Sequence, residues 1–216
     1  MSADNPRSIK VVDPDMGRIF QIPLLGKDNA VKSARINYSI ATMMNKVYLY
    51  GGLNDQNEVL STMEMFDATT YKMSEVAYRL EARVAGRQGH AAIALDKFNM
   101  VVIGGTGEAG FIDPTPLKPE ELVCSFDLEA TTWHPKSARL PNGSDPIPWN
   151  LVYVSLFKID SQNIGVLWYD KAPAIGSDIE ESKESQSLQR FLRVSTYNNY
   201  TNSWRTIRLV SKIPMA

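Results

Sequence analysis

Two segments of this chain close the same kind of hairpin with a double glycine, and that coincidence restricts the fold more than any other feature. An apolar-leaning run at 38–44 turns at Asn45-Lys46, continues as Val47–Tyr50 and closes with Gly51-Gly52. The run Ala91–Leu95 turns around Asp96–Asn99, continues as Met100–Ile103 and closes with Gly104-Gly105. Short β-branched and aromatic runs cut by turn residues predict strands, and two hairpins of one design predict a repeat. The match continues downstream. Met63–Asp67 reads MEMFD and Val123–Asp127 reads VCSFD, each an apolar strand ending in Phe-Asp (Phe66-Asp67 and Phe126-Asp127). Met73 and Trp133 each lie six residues past that aspartate. Helical periodicity is nearly absent, so the expected class is all-β.

A third copy is weaker. Leu151–Phe157 and Ile164–Tyr169 read as its hairpin, but Trp168-Tyr169 stands where the double glycine should be. Phe191–Tyr197 reads as its third strand, Tyr197-Asn198 replaces Phe-Asp, and Trp204 lies seven residues past Tyr197, as Trp133 lies seven past Phe126. A fourth strand is expected around Arg205–Val210. The N-terminus offers half a copy, with Ile9–Asp13 as one strand and Ile19 six residues past Asp13.

Four short strands, a double glycine after the second, then aromatic-Asp and Trp around the third and fourth: the pattern resembles the kelch repeat. GRQGHAAIALDKFNMVVIGG (86–105) with VCSFDLEATTW (123–133) carries the likeness most fully, and Arg87 and His90 match the family's Arg-x-x-His lead-in. The resemblance implies β-propeller blades, each a twisted four-stranded antiparallel sheet. It divides the chain into a half blade at 9–23 and blades at 36–80, 87–138 and 149–210, the last degenerate. The residues themselves support such a role. Glycines after the second strand let backbones approach. The aromatic and Trp positions fill the wedge between blades. The aspartate caps the turn before the fourth strand.

The expected architecture is therefore a partial kelch-type propeller of about three and a half blades. Rings of this family have more blades, and each blade face needs a neighbour. Completion is expected from more of the same polypeptide or from a second chain, with an open array capped by a partner as a further possibility. The balance of 23 Lys+Arg against 24 Asp+Glu argues against nucleic-acid binding. No stretch approaches 18 apolar residues and the first thirty hold no signal-like run, so the expected setting is cytoplasmic, with no membrane partner.

Chemistry finds little support. There is one cysteine, Cys124, placed mid-strand among Leu122, Val123 and Phe126, which excludes an internal disulfide and favours a packed thiol. The two histidines, His90 and His134, form no H-x-x-x-H or H-E-x-x-H pattern, so no metal and no cofactor are expected. The chain reads as a non-enzymatic interaction module, a scaffold or adaptor subunit. The rival reading is a fragment of a propeller enzyme acting on a sugar or small molecule at the central channel, with Tyr38, Ser39, Asn150 and Tyr153 as the few polar candidates. Recognition of substrates for a ubiquitin ligase would follow from family analogy alone.

A binding surface is expected on loops 53–62, 106–121 and 170–190 and connections 74–88 and 135–149, because long loops on a rigid scaffold carry function. Glu108, Phe111 and Asp113 lie in the second loop beside three prolines, and Glu180 and Glu181 in the acidic third. Arg79, Arg83 and Arg87 are four apart. They would share one face of a helical turn and clamp an acidic motif; pairing with Glu75 and Glu81 is the plainer reading.

Overall fold

The computed structural model describes residues 8–13, 17–23, 35–79, 84–108, 117–136, 143, 145, 151–171 and 190–207. Strands β1 (Ser8–Asp13) and β2 (Arg18–Pro23) make a two-stranded sheet. Three four-stranded antiparallel meanders follow. The first holds β3 (Ser39–Met43), β4 (Lys46–Tyr50), β5 (Met63–Asp67) and β6 (Lys72–Glu75). The second holds β7 (Gln88–Ala94), β8 (Asn99–Thr106), β9 (Val123–Asp127) and β10 (Thr132–Pro135). The third holds β11 (Ser155–Lys158), β12 (Asn163–Lys171), β13 (Arg190–Asn198) and β14 (Ser203–Ile207). The protein is all-β among the described residues and β-propeller-like, and no closed ring is present among them.

The repeated spacing corresponds to a repeated pairing. Phe66 pairs with Met73, Phe126 with Trp133, Tyr197 with Trp204, and Val12 with Ile19. Asp67 Oδ1 accepts from the Thr69 and Thr70 amides, and Asp127 Oδ1 from Ala130. Asn198 does the same for Thr201, so the change from Asp to Asn keeps the turn.

The first strands β3, β7 and β11 lie side by side, and the sheets stack face to face around them. Alternation along the second sheet divides its side chains between two cores. Met100, Val102, Cys124, Phe126 and Trp133 pack on Tyr48, Tyr50 and Met63 of the first sheet. Val101, Ile103 and Val123 pack on Ile164, Val166, Trp168, Tyr197 and Trp204 of the third. Phe66 and Met73 form a smaller cluster with Val47 and Leu49 on the first sheet's other face.

Two expectations are corrected in the third sheet. Residues 151–154 are not strand; β11 begins at Ser155, and Tyr153 adopts φ 56°. The loop expected at 170–190 is shortened, because β12 and β13 stay paired out to Lys171 opposite Arg190.

Candidate functional site

The double-glycine ends of the first two sheets are where neighbouring sheets meet. Gly104 has φ +79°, and a Cβ there would overlap the Leu151 carbonyl oxygen. Gly51 has φ +66°, and a Cβ would strike the Arg87 carbonyl oxygen and the His90 ring. Only glycine allows both the left-handed turn and this approach. The second glycine of each pair then donates across the junction: Gly52 N–H to Arg87 O at 2.9 Å, and Gly105 N–H to Leu151 O at 2.7 Å.

The pairing of β8 with β9 ends at Ile103, just before the glycines, and a buried arginine serves carbonyls beyond that end. Arg87 is fully buried and donates to Gly104 O at 3.2 Å and Glu121 O at 2.8 Å. Arg35 makes the same bonds in the first sheet, to Gly51 O and Thr62 O, both at 3.1 Å. It also pairs with the buried Glu64 at 3.1 Å. Sequence reading missed Arg35, although Arg35-x-x-Tyr38 has the spacing of Arg87-x-x-His90.

A second set of junction bonds was also missed. Asn37, Gly89 and Tyr153 occupy equivalent positions with φ 55°, 64° and 56°. Gly89 N–H donates to Asn37 O at 3.0 Å, and Tyr153 N–H to Gly89 O at 2.6 Å. Gly89 at this position was readable; an Asn and a Tyr in the same backbone state were not.

Around these junctions lie the candidate contact segments. Leu60 N–H donates to Gly52 O, Arg87 N–H to Leu60 O, and Gln88 Nε2 to Glu108 O. Asn37 Nδ2 donates to Gln88 Oε1 at 2.9 Å, so the first sheet, the second sheet and the start of loop 106–121 are tied in one chain of bonds. The described parts of the two loops expose Asp55, Glu58, Glu108 and Glu120, with Glu121 half-buried and Lys118 as their cation.

The sequence-derived candidates separate. Glu108 is exposed at the site; Phe111, Asp113, Glu180, Glu181 and Asn150 lie outside the described residues. Arg79 is exposed, its amide bonded to Thr131 O at 3.1 Å. Arg83 lies outside the described residues, and 76–79 and 84–87 are not helical. Arg87 is interior, so the three arginines do not form a surface clamp. Tyr38 and Tyr153 are partly exposed, and Ser39 is buried.

Titration follows burial. His90 is held neutral, its pKa pushed down to about 3 by burial first and the Arg87 charge second, with the Tyr50 backbone opposing. Burial pushes the Cys124 thiol up, and the Tyr50 hydroxyl likewise. Neither is set up as an anion or a nucleophile. His134 is exposed. Among the described residues no three His, Cys, Asp or Glu side chains are grouped as metal ligands, and no helix is long and apolar enough to cross a membrane.

No protein-family model matches the chain. It is similar to two rice (Oryza sativa subsp. japonica) proteins, putative adagio-like protein 2 and adagio-like protein 1. Each match is 24% identical over 119 residues. It covers 55% of this chain and 17% of the relative, so the chain spans about a sixth of the length of the curated relatives it matches.

Proposed function

We propose that this chain is a segment of a kelch-type propeller, about three and a half blades long, that works without catalysis as a cytoplasmic scaffold or adaptor. The observation that carries the reading is the rigid double-glycine end. There, bonds across the sheet junctions tie loop 53–62 and the described ends of loop 106–121 to buried cores. The repeat pattern and the weak likeness to the adagio-like proteins are in keeping with it. The exposed acidic residues Asp55, Glu58, Glu108 and Glu120 favour a partner that brings lysines and arginines to this end.

The test is recovery of the endogenous tagged protein under native conditions, with denaturing and native masses measured. A partner polypeptide in fixed ratio, lost when Asp55, Glu58, Glu108 and Glu120 are all changed to lysine, is the expected result. A lone 24.1 kDa monomer, folded and without a stoichiometric partner, overturns the reading.

A further inference from the structure

At the double-glycine end a cavity of about 60 Å³ opens where the connection into the second sheet passes β9 and β10. Its exposed walls are Ala85 on that connection and Pro135 at the end of β10, together with the nearly buried Val84. Backbone bonds hold these walls in place. The Tyr50 hydroxyl donates to Ala85 O at 3.3 Å, Arg87 N–H to Leu60 O at 3.2 Å, and Lys136 N–H to Val123 O at 3.0 Å. Arg87, Val123 and Cys124 border the cavity from the interior with next to no exposed surface.

Glu120 and Glu121 complete the lining, the first exposed and the second half-buried. Neither carboxylate forms an ion pair among the described residues, with Lys118 and Lys136 included. Two carboxylates against the one buried guanidinium leave one net negative charge at an apolar-walled opening. That combination suits a lysine, whose methylene stem covers apolar surface while its ammonium stays at a charged rim. The space is that of about two waters, enough for a compact ammonium and its last methylenes. The planar fork of an arginine is wider.

We infer that this cavity seats one lysine side chain of the protein partner, its stem against Val84, Ala85 and Pro135 and its ammonium on the Glu120 and Glu121 carboxylates. The inference rests on the reading of the chain as an interaction module and sharpens it. The acidic residues spread over the loops attract a basic partner, and the cavity fixes where that partner sits. An anchor in a preformed pocket carries more of the binding than the charged rim around it.

The test uses the native complex recovered with the tagged full chain. Zero-length carbodiimide coupling joins a carboxylate to an amine that touches it, and peptide mapping is expected to find Glu120 or Glu121 joined to one partner lysine. Glu121→Gln removes one of the two charges and keeps the backbone carbonyl that Arg87 uses. Ala85→Trp fills the cavity and leaves the charge as it is. Each is expected to weaken the complex about tenfold at an unchanged thermal midpoint. If Ala85→Trp does not fold, Glu121→Gln and the coupling map decide. Coupling through Asp55, Glu58 or Glu108 but through neither Glu120 nor Glu121, or an affinity that both variants leave unchanged, overturns the cavity assignment alone. Recovery of the chain with no stoichiometric partner overturns it together with the reading on which it rests.

Discussion

At the end of its second strand the second sheet carries Gly104-Gly105, and at the matching position the third carries Trp168-Tyr169. The residue that leads into each sheet changes in step: Arg87 before the second, Leu151 before the third. At the glycines β8 parts from β9 while staying paired with β7, and the Gly104 and Glu121 carbonyls there take the arginine's donors. In the third sheet β12 and β13 stay paired through nine residue pairs, and the lead-in position is an apolar core residue. Glycine pair and buried arginine are thus one device, kept or lost together. The aromatic pair is independent of it. Tyr197 and Trp204 stack at 5.0 Å between ring centroids, as Phe126 and Trp133 do.

Arg87→Met breaks the comparison hardest. It orphans the buried Gly104 carbonyl and the half-buried Glu121 carbonyl and is expected to cost about 3–5 kcal/mol in denaturant unfolding, whereas Leu151→Met in the third sheet should cost under about 1.5 kcal/mol. Gly104→Ala comes next, at about 3 kcal/mol, since the new Cβ meets backbone rather than a yielding side chain. Trp168→Gly at the matching position brings no compensating gain, because it empties a buried site in the third sheet.

His90 predicts a pH signature that the third sheet, with Val154 at the matching position, lacks. Its pKa is lowered from 6.5 to about 3, so between those values the unfolded chain binds a proton that the folded chain refuses. Stability therefore falls as pH drops through that window, by roughly 1.4 kcal/mol per unit. His90→Gln should remove this slope from urea titrations at pH 4–6. The carboxyls of Asp67, Asp96 and Asp160, held down by hydrogen bonds within their own turns (in Asp96 against opposing desolvation), add their own loss of stability as pH falls through the ordinary carboxylate range and below. The smallest effect sharpens the comparison of lead-ins. Tyr153→Asn should raise stability by about 0.5 kcal/mol, because asparagine tolerates the left-handed backbone better than tyrosine.

Much of this was legible in the chain. The glycine pairs, the Phe-Asp turns and the Trp positions set strand order and pairing, because turn chemistry and alternation act locally. The hidden parts were non-local. Arg35 and Glu64 are 29 residues apart, and nothing in either neighbourhood announces an ion pair. The extension of β12 and β13 was missed because Trp168-Tyr169 reads as an end only if the glycine rule is assumed to hold. The arginine clamp was misread because spacing reports a shared helical face and not whether a helix forms or which way the chain turns.

By itself, then, the sequence determined an all-β repeat with its Phe-Asp turns, since these depend on residues a few positions apart, while the first hairpin turns at Met44-Asn45, one residue earlier than the expected Asn45-Lys46. Tertiary structure decided which charges are buried and which carbonyls need donors. It also decided that Arg35 meets a carboxylate while Arg87 meets a neutral thiol and a cavity. Those outcomes depend on how one sheet's face lies against the next, and burial changes the energy of a charge far more than any local preference does.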